Sequence, residues 1–284
     1  MNHVLEIKNL TVDLPGFSLN HITMDIPRGV VVGLIGRNGA GKTTLLRTIT
    51  DIYAPNEGTI LYDGIPMRGN ETMVKAKMGI VYDTMYYPAN TKAINLAKML
   101  APLYPDFDME RWHQLMSRFG LDEKKRPMLY SKGMQMKFML AMVLARDPEL
   151  LILDEPTAGM DPAARAEMLE LMQEFMQDET KTVLFSTHIT SDLDKIADYI
   201  ALIADGKLVC MEEKDALLEK YVLAQIPHGA MNEEICADLI GKKENSFGCI
   251  GLSRSRSLLA QIPGVQLTRP SIEDLLIYGG GHEE

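Results

Sequence analysis

A chain of 284 residues is long enough to bury a full core and to hold one large domain with an appendage, or two lobes. Its net charge of −10, without any cluster of Lys and Arg, argues against a nucleic-acid-binding surface, because binding DNA or RNA rests on neutralising phosphates. No run approaches the ~18 apolar residues that span a bilayer, and Met1 to Leu10 present no apolar secretory core, so a membrane role requires a partner. The three cysteines, Cys210, Cys236 and Cys249, show neither metal-ligand spacing nor a disulfide framework, which suits a reducing cytosol and a place in the core. Many of the 20 methionines recur at helical spacing, as Met168, Met172 and Met176 do beside Leu171 and Phe175, and read as core filling.

In chain order, strand-like alternation covers 4–12, 19–26, 30–35 and 59–62, with turns at Pro27-Arg28-Gly29 and Asp63-Gly64. This is a mixed lobe. From about Asp83 to Arg146 the pattern turns helical, at 93–103, 109–119 and 134–146; the last stretch is apolar on nearly every side and is predicted to be buried. Strands return at 150–153, 182–186 and 199–204, separated by helices at 162–177 and 191–197, an alternation that implies a parallel sheet. Asp161-Pro162 is a helix start, and Asp205-Gly206 a hairpin turn into 207–211. After about Tyr221 the pattern loosens. Ile235, Leu239 and Ile240 fit one helical face, 249–252 is strand-like, and Ser271 opens a capping-box pattern, so a small folded appendage is expected, packed on the larger lobe or on a second copy.

The most informative segment is Gly36-Arg37-Asn38-Gly39-Ala40-Gly41-Lys42-Thr43-Thr44, which follows the apolar run 30–35 and matches the phosphate-binding loop G-x-x-x-x-G-K-[ST] between a buried strand and a helix. Several backbone N–H groups must meet one anion, and only a loop poor in Cβ atoms wraps it closely. Lys42 is placed to reach the β- and γ-phosphates of ATP and Thr43 to offer a hydroxyl to Mg²⁺, while the helix from Thr44 aims its positive end at the nucleotide. A second constellation is Leu150-Leu151-Ile152-Leu153-Asp154-Glu155-Pro156, a buried strand ending in two carboxylates where a doubly wound sheet places its ligand groups. Asp154 would hold Mg²⁺ and Glu155 would polarise the water attacking the γ-phosphate. At the end of the next strand His188 could donate to the γ-phosphate; alone, a strand-end histidine reads as a solvated residue.

Tyr130-Ser131-Lys132-Gly133-Met134-Gln135 precedes the buried helix, and Ala158-Gly159-Met160-Asp161 follows Glu155. With the phosphate loop, the acidic strand and His188, in that order, residues 1–222 resemble the ATPase subunits of ABC transporters. The resemblance implies an α/β fold of the P-loop NTPase type, with a mixed, mainly parallel sheet core, a helical subdomain over about 84–146 and a C-terminal appendage over 223–284. It implies ATP and Mg²⁺ as ligands, a transmembrane permease subunit encoded separately, and a second ATPase protomer whose phosphate-loop site is closed by Ser131 and Gly133. The phosphate-loop contacts would be Gly36, Asn38, Gly39, Ala40, Gly41, Lys42, Thr43 and Thr44.

Three positions depart from the family pattern. Asp83 stands where the family has Gln beside the metal and the attacking water, with shorter reach. Lys132 replaces a signature glycine and adds a positive charge, and the aromatic that stacks on adenine falls near Leu14, which leaves Phe17 as the substitute. The signature, Asp83 and the segment Arg269-Pro270-Ser271-Ile272-Glu273-Asp274-Leu275 look like bacterial exporters of antimicrobial or toxin peptides, of the phenol-soluble-modulin exporter type, which would place the chain at the cytoplasmic face of the membrane. The alternatives are an ABC-type ATPase not coupled to transport and a non-catalytic nucleotide-binding regulator.

Overall fold

The computed structural model describes residues 2–246 and 248–278. β1 (His3–Leu14) and β2 (Phe17–Pro27) form an antiparallel hairpin, β3 (Val31–Ile35) runs into the phosphate loop, and α1 (Lys42–Ile49) leaves it. β4 (Glu57–Tyr62) and β5 (Ile65–Pro66) pair back toward β1 and complete an antiparallel sheet of order β2-β1-β4-β5. After α2 (Glu71–Lys77) and β6 (Met78–Val81) comes a helical layer: α3 (Ala93–Leu100), α4 (Met109–Arg118) and α5 (Lys132–Leu144). The chain then alternates through β7 (Leu150–Asp154), α6 (Pro162–Phe175), β8 (Thr182–Thr187), α7 (Thr190–Ile196) and β9 (Tyr199–Ala204), and ends this part with β10 (Lys207–Glu213) and α8 (Lys214–Glu219). The central sheet has the order β10-β9-β3-β8-β7-β6 and is parallel except for β10.

That sheet is covered on both sides, so its strands read as unbroken apolar runs. Val32, Leu34, Ile152 and Leu184 face an apolar cluster shared with α1 and the antiparallel sheet. Val31, Ile35, Leu151, Leu153, Val183 and Phe185 face a second cluster built with the helical layer. Helix α5 supplies Phe138, Met139, Leu140, Ala141 and Met142 to that cluster, all buried, which is why it carries no polar stripe.

The remainder of the described chain is β11 (Val222–Pro227), α9 (Glu233–Asp238), β12 (Gly241–Asn245), β13 (Gly248–Ser253), α10 (Arg256–Leu259), β14 (Gln266–Thr268) and α11 (Ile272–Tyr278). Its sheet, ordered β12-β13-β11-β14 with every pairing antiparallel, is the split β-α-β arrangement. One face buries Val222, Ala224, Ile226 and Cys249 against Ile235 and Leu259. Val222 pairs with Ser253 at the start of this third sheet.

Several local expectations are corrected. α2 was not anticipated, because Val74 is its single buried residue and it shows no apolar stripe. The helix expected over 93–103 stops at Leu100 and tightens into a 3₁₀ turn, Ala101–Leu103, where Pro102 cannot donate a backbone bond. α5 starts at Lys132 rather than 134, since Ser131 is its N-cap, its Oγ accepting from Met134 N at 3.3 Å. Ile240 does not share a helical face with Ile235: α9 ends at Asp238, and Ile240 N already donates to Leu252 O at 2.8 Å as the chain turns into the sheet.

Candidate active site

The register of the parallel sheet sets Ile35 beside Thr187 and Asp154 beside Ser186. The carboxyl ends of β3, β7 and β8 therefore carry the phosphate loop, the acidic pair and His188 on one edge, where open α/β sheets hold ligands. A cavity of about 600 Å³ opens there, walled by residues 38–44, Asp83, Glu155, Ala158 and His188, with Leu14, Pro15, Phe17 and Lys132. Gly36 lies outside this cavity and contributes its carbonyl to Lys42 instead.

Gly41 caps α1 with φ +112°, and a Cβ there would lie 2.8 Å from Phe17 Cζ, so a side chain is excluded by conformation and by space. No side chain caps the N-terminus of α1, which leaves its N–H groups for an anion. Lys42 is 6% exposed; its Nζ donates to Gly36 O at 2.8 Å and sits 3.5 Å from Glu155 Oε1. A buried ammonium held by the Gly36 and Arg37 carbonyls and one carboxylate is a ready phosphate ligand.

Asp154 is fully buried. Its Oδ1 accepts from Ser186 Oγ at 2.6 Å and Thr43 Oγ1 at 3.2 Å, whereas Oδ2 is buried without a partner among the described residues. Burial raises the Asp154 pKa above the ordinary aspartate value, and the nearby charges of Asp83 and Glu155 push the same way, against the lowering by the Ser186 and Thr43 hydroxyls. An orphaned carboxylate oxygen beside a threonine hydroxyl is a hard-donor set that fits a divalent cation. Among the described residues no group of three or more His, Cys, Asp or Glu forms a metal cage, and Mg²⁺ shared with phosphate oxygens needs none.

Glu155 adopts φ +49°, the left-handed region that is costly for a side-chain-bearing residue. Its N–H donates to Ser186 Oγ at 2.9 Å, and its Oε2 lies 2.7 Å from His188 Nδ1. With Glu155 ionised, Nδ1 carries the proton, so His188 can also donate from Nε2 only as the imidazolium. Ser186, which holds both carboxylate residues, was missed from sequence; a serine ending an otherwise apolar strand was the available signal. Ser131 and Gly133 do not reach the cavity of their own protomer, while Lys132 between them does. After Asp83, Met85 and Tyr87 pack on the core and Tyr86 points outward, 68% exposed.

These geometries define a nucleotide-binding α/β ATPase. The family model for ABC transporters matches residues 19–158. The ABC transporter ATP-binding protein YtrB of Bacillus subtilis (strain 168) is 31% identical over 226 residues, covering 78% of this chain and 76% of that protein. The bacitracin transport ATP-binding protein BcrA of Enterococcus faecalis is 31% identical over 212 residues, covering 74% of this chain and 69% of that protein. A solved ATP-binding subunit of an ABC transporter superposes with a TM-score of 0.69 at 26% identity, over 75% of this chain and 91% of that one. The chain belongs to the ATP-binding subunits of ABC transporters, and it is an ATPase. No helix among the described residues is long and apolar enough to cross a membrane.

Proposed function

We propose that this ATPase powers the export of antimicrobial or toxin peptides, working as a homo- or heterodimer on a separately encoded membrane subunit at the cytoplasmic face of the membrane. Its first 222 residues form the ATPase unit and the rest an accessory unit. The observation that carries the hydrolytic assignment is the convergence of Lys42, Glu155 and His188 at one edge of the sheet, joined at 3.5 and 2.7 Å. Lys42 and the N–H groups of residues 38–44 bind the phosphates of ATP. Glu155, held in a strained conformation that aims its carboxylate into the cavity, accepts a proton from the attacking water, and His188 donates to the departing phosphate. Thr43, Asp154 and Asp83 are placed to hold Mg²⁺, which when bound neutralises phosphate charge. Ser131 and Gly133 are exposed or half-exposed at the start of α5 and cannot serve their own site, which supports their use by a second protomer.

The relationship to a bacitracin transport ATPase supports the export reading. Co-purification with the membrane subunit in liposomes tests it: a peptide antibiotic is expected to raise ATP turnover, and no stimulation across a panel of such peptides ends the export reading while leaving the ATPase intact.

Asp83 and Tyr86 mark the path to the partner. Asp83 faces the nucleotide cavity, and three residues later the Tyr86 hydroxyl accepts from Arg47 of α1 at 3.3 Å while its ring is exposed. Exposed aromatics of this kind suit an interface. Asp83→Ala is expected to leave basal ATP turnover measurable but to abolish its stimulation by transported peptide in the reconstituted complex; unaltered stimulation removes Asp83 from the coupling path.

The raised pKa of Asp154 gives a pH dependence. The protonated form persists to higher pH than in an ordinary aspartate, so cation affinity falls as pH drops through that raised value, before exposed carboxylates titrate. The Mg²⁺-dependent part of ATP affinity is therefore expected to weaken in the wild type as pH falls through that raised value, and Asp154→Asn should show little Mg²⁺ dependence at any pH. Titration of ATP with and without Mg²⁺ across a pH series reads both.

A further inference from the structure

The appendage is bolted to its own ATPase unit through α11. Ser271 and Asp274 cap this helix reciprocally, Asp274 Oδ2 accepting from Ser271 N at 2.8 Å and Ser271 Oγ from Asp274 N at 3.2 Å. Ile272 and Leu275, both buried, belong to the main apolar cluster, which also holds Leu193 and Ile196 of α7, and α11 packs against α7. Leu276, half-buried, faces residues 36–40 across a cavity of about 300 Å³. At its far end Tyr278 lies so close to β12 that a Cβ on Gly241 would stand 2.2 Å from the Tyr278 carbonyl oxygen.

Helix α7 begins two residues after His188 and carries Asp192, which is fully buried. Asp192 Oδ2 accepts from Thr157 Oγ1 at 2.7 Å and Oδ1 from Arg165 Nε at 2.5 Å. Thr157 is itself buried two residues beyond Glu155. Through Asp192, α7 is thus bonded to the turn that follows Glu155; it begins two residues after His188 and packs against α11. A buried carboxylate with both oxygens committed is stiff, because a shift that breaks one bond leaves charge unpaired out of water.

We infer that α11 is a positioning element for ATP hydrolysis: by bracing α7 it keeps Asp192 on Thr157, and so keeps Glu155 and His188 in register within the same protomer. Leu275 and Asp192 are positioning residues that touch no nucleotide. The inference rests on the assignment of Glu155 and His188 to the hydrolytic step, and its consequences differ from those of an appendage that acts by joining two protomers. Bracing acts in cis at every protein concentration.

Leu275→Ala in the full chain, which removes side-chain volume from the cluster that α11 shares with α7, is expected to lower kcat about tenfold, since small misplacements of reacting groups carry large rate penalties. ATP affinity, set by the phosphate loop, should stay within about twofold, and the kcat loss should be independent of protein concentration. Leu275→Met, which keeps the volume, should restore most of kcat, and Asp192→Asn should reproduce the loss of kcat without the loss of affinity. Should Leu275→Ala not fold, Leu275→Val is read in its place. Wild-type kcat in the Leu275 variant, or a kcat deficit that vanishes at high protein concentration, overturns the role of α11. Glu155→Gln is measured alongside: if it also turns over normally, the hydrolytic assignment has failed, whereas a slow Glu155→Gln with a fully active Leu275 variant removes the bracing alone.

Discussion

Glu155→Gln is expected to slow ATP hydrolysis by about 10²–10⁴-fold while leaving ATP binding in place, the range for removing a positioned general base. The amide keeps the size of the side chain and can still meet His188, but it cannot take a proton from water, so the loss falls on the chemical step. The conformation of Glu155 makes this sharper. Its backbone lies in the left-handed region, held there by the Ser186 hydroxyl on its N–H, and such strain persists only where the surroundings determine it. With hydrolysis blocked and binding intact, ATP should accumulate a dimer in which each site is closed by the second protomer. Single-turnover hydrolysis and light scattering with ATP check the two parts; wild-type turnover, or a monomer at saturating ATP, rejects the assignment.

Lys42→Ala is expected to abolish ATP binding in the micromolar range. Lys42 is a buried cation within a loop that otherwise offers backbone donors, and charge-assisted bonds are roughly twice as strong as neutral ones. Its removal also takes the ammonium away from Glu155, leaving a less compensated carboxylate beside the phosphate loop that disfavours a polyanion. Equilibrium titration with a fluorescent ATP analogue measures the loss, and unchanged affinity would falsify the placement of the phosphates. The two variants separate cleanly, one failing to bind and the other binding without turning over.

Much of this site was legible before any fold. A Gly-rich loop between an apolar run and a helix has few uses, and an apolar run ending in Asp154-Glu155 places carboxylates at a strand end by itself. Gly41, Lys42 and Thr43 lie within one loop, so their proposed roles could be read from spacing alone. The helical layer was readable for the same reason: from Phe138 to Leu144, α5 is apolar on every side because every residue there is buried. Where periodicity was weak the reading failed, as at α2 with its one buried residue and at Ile240, whose backbone joins the third sheet.

The sequence by itself determined the family, its ATPase class and the alternation of strands and helices, because the motifs and periodicities that carry them lie within short stretches of chain. Tertiary structure alone decided which distant groups meet. Ser186 serves both Asp154 and Glu155 because β7 and β8 lie in register. Asp192 is matched to Thr157 because α7 returns over the turn after β7. The appendage, which the sequence left free to join either its own lobe or a second copy, sits on its own lobe because α11 buries Ile272 and Leu275 there. Such pairings depend on strand register and helix packing between segments far apart in the chain, and one residue type at one position carries no record of them.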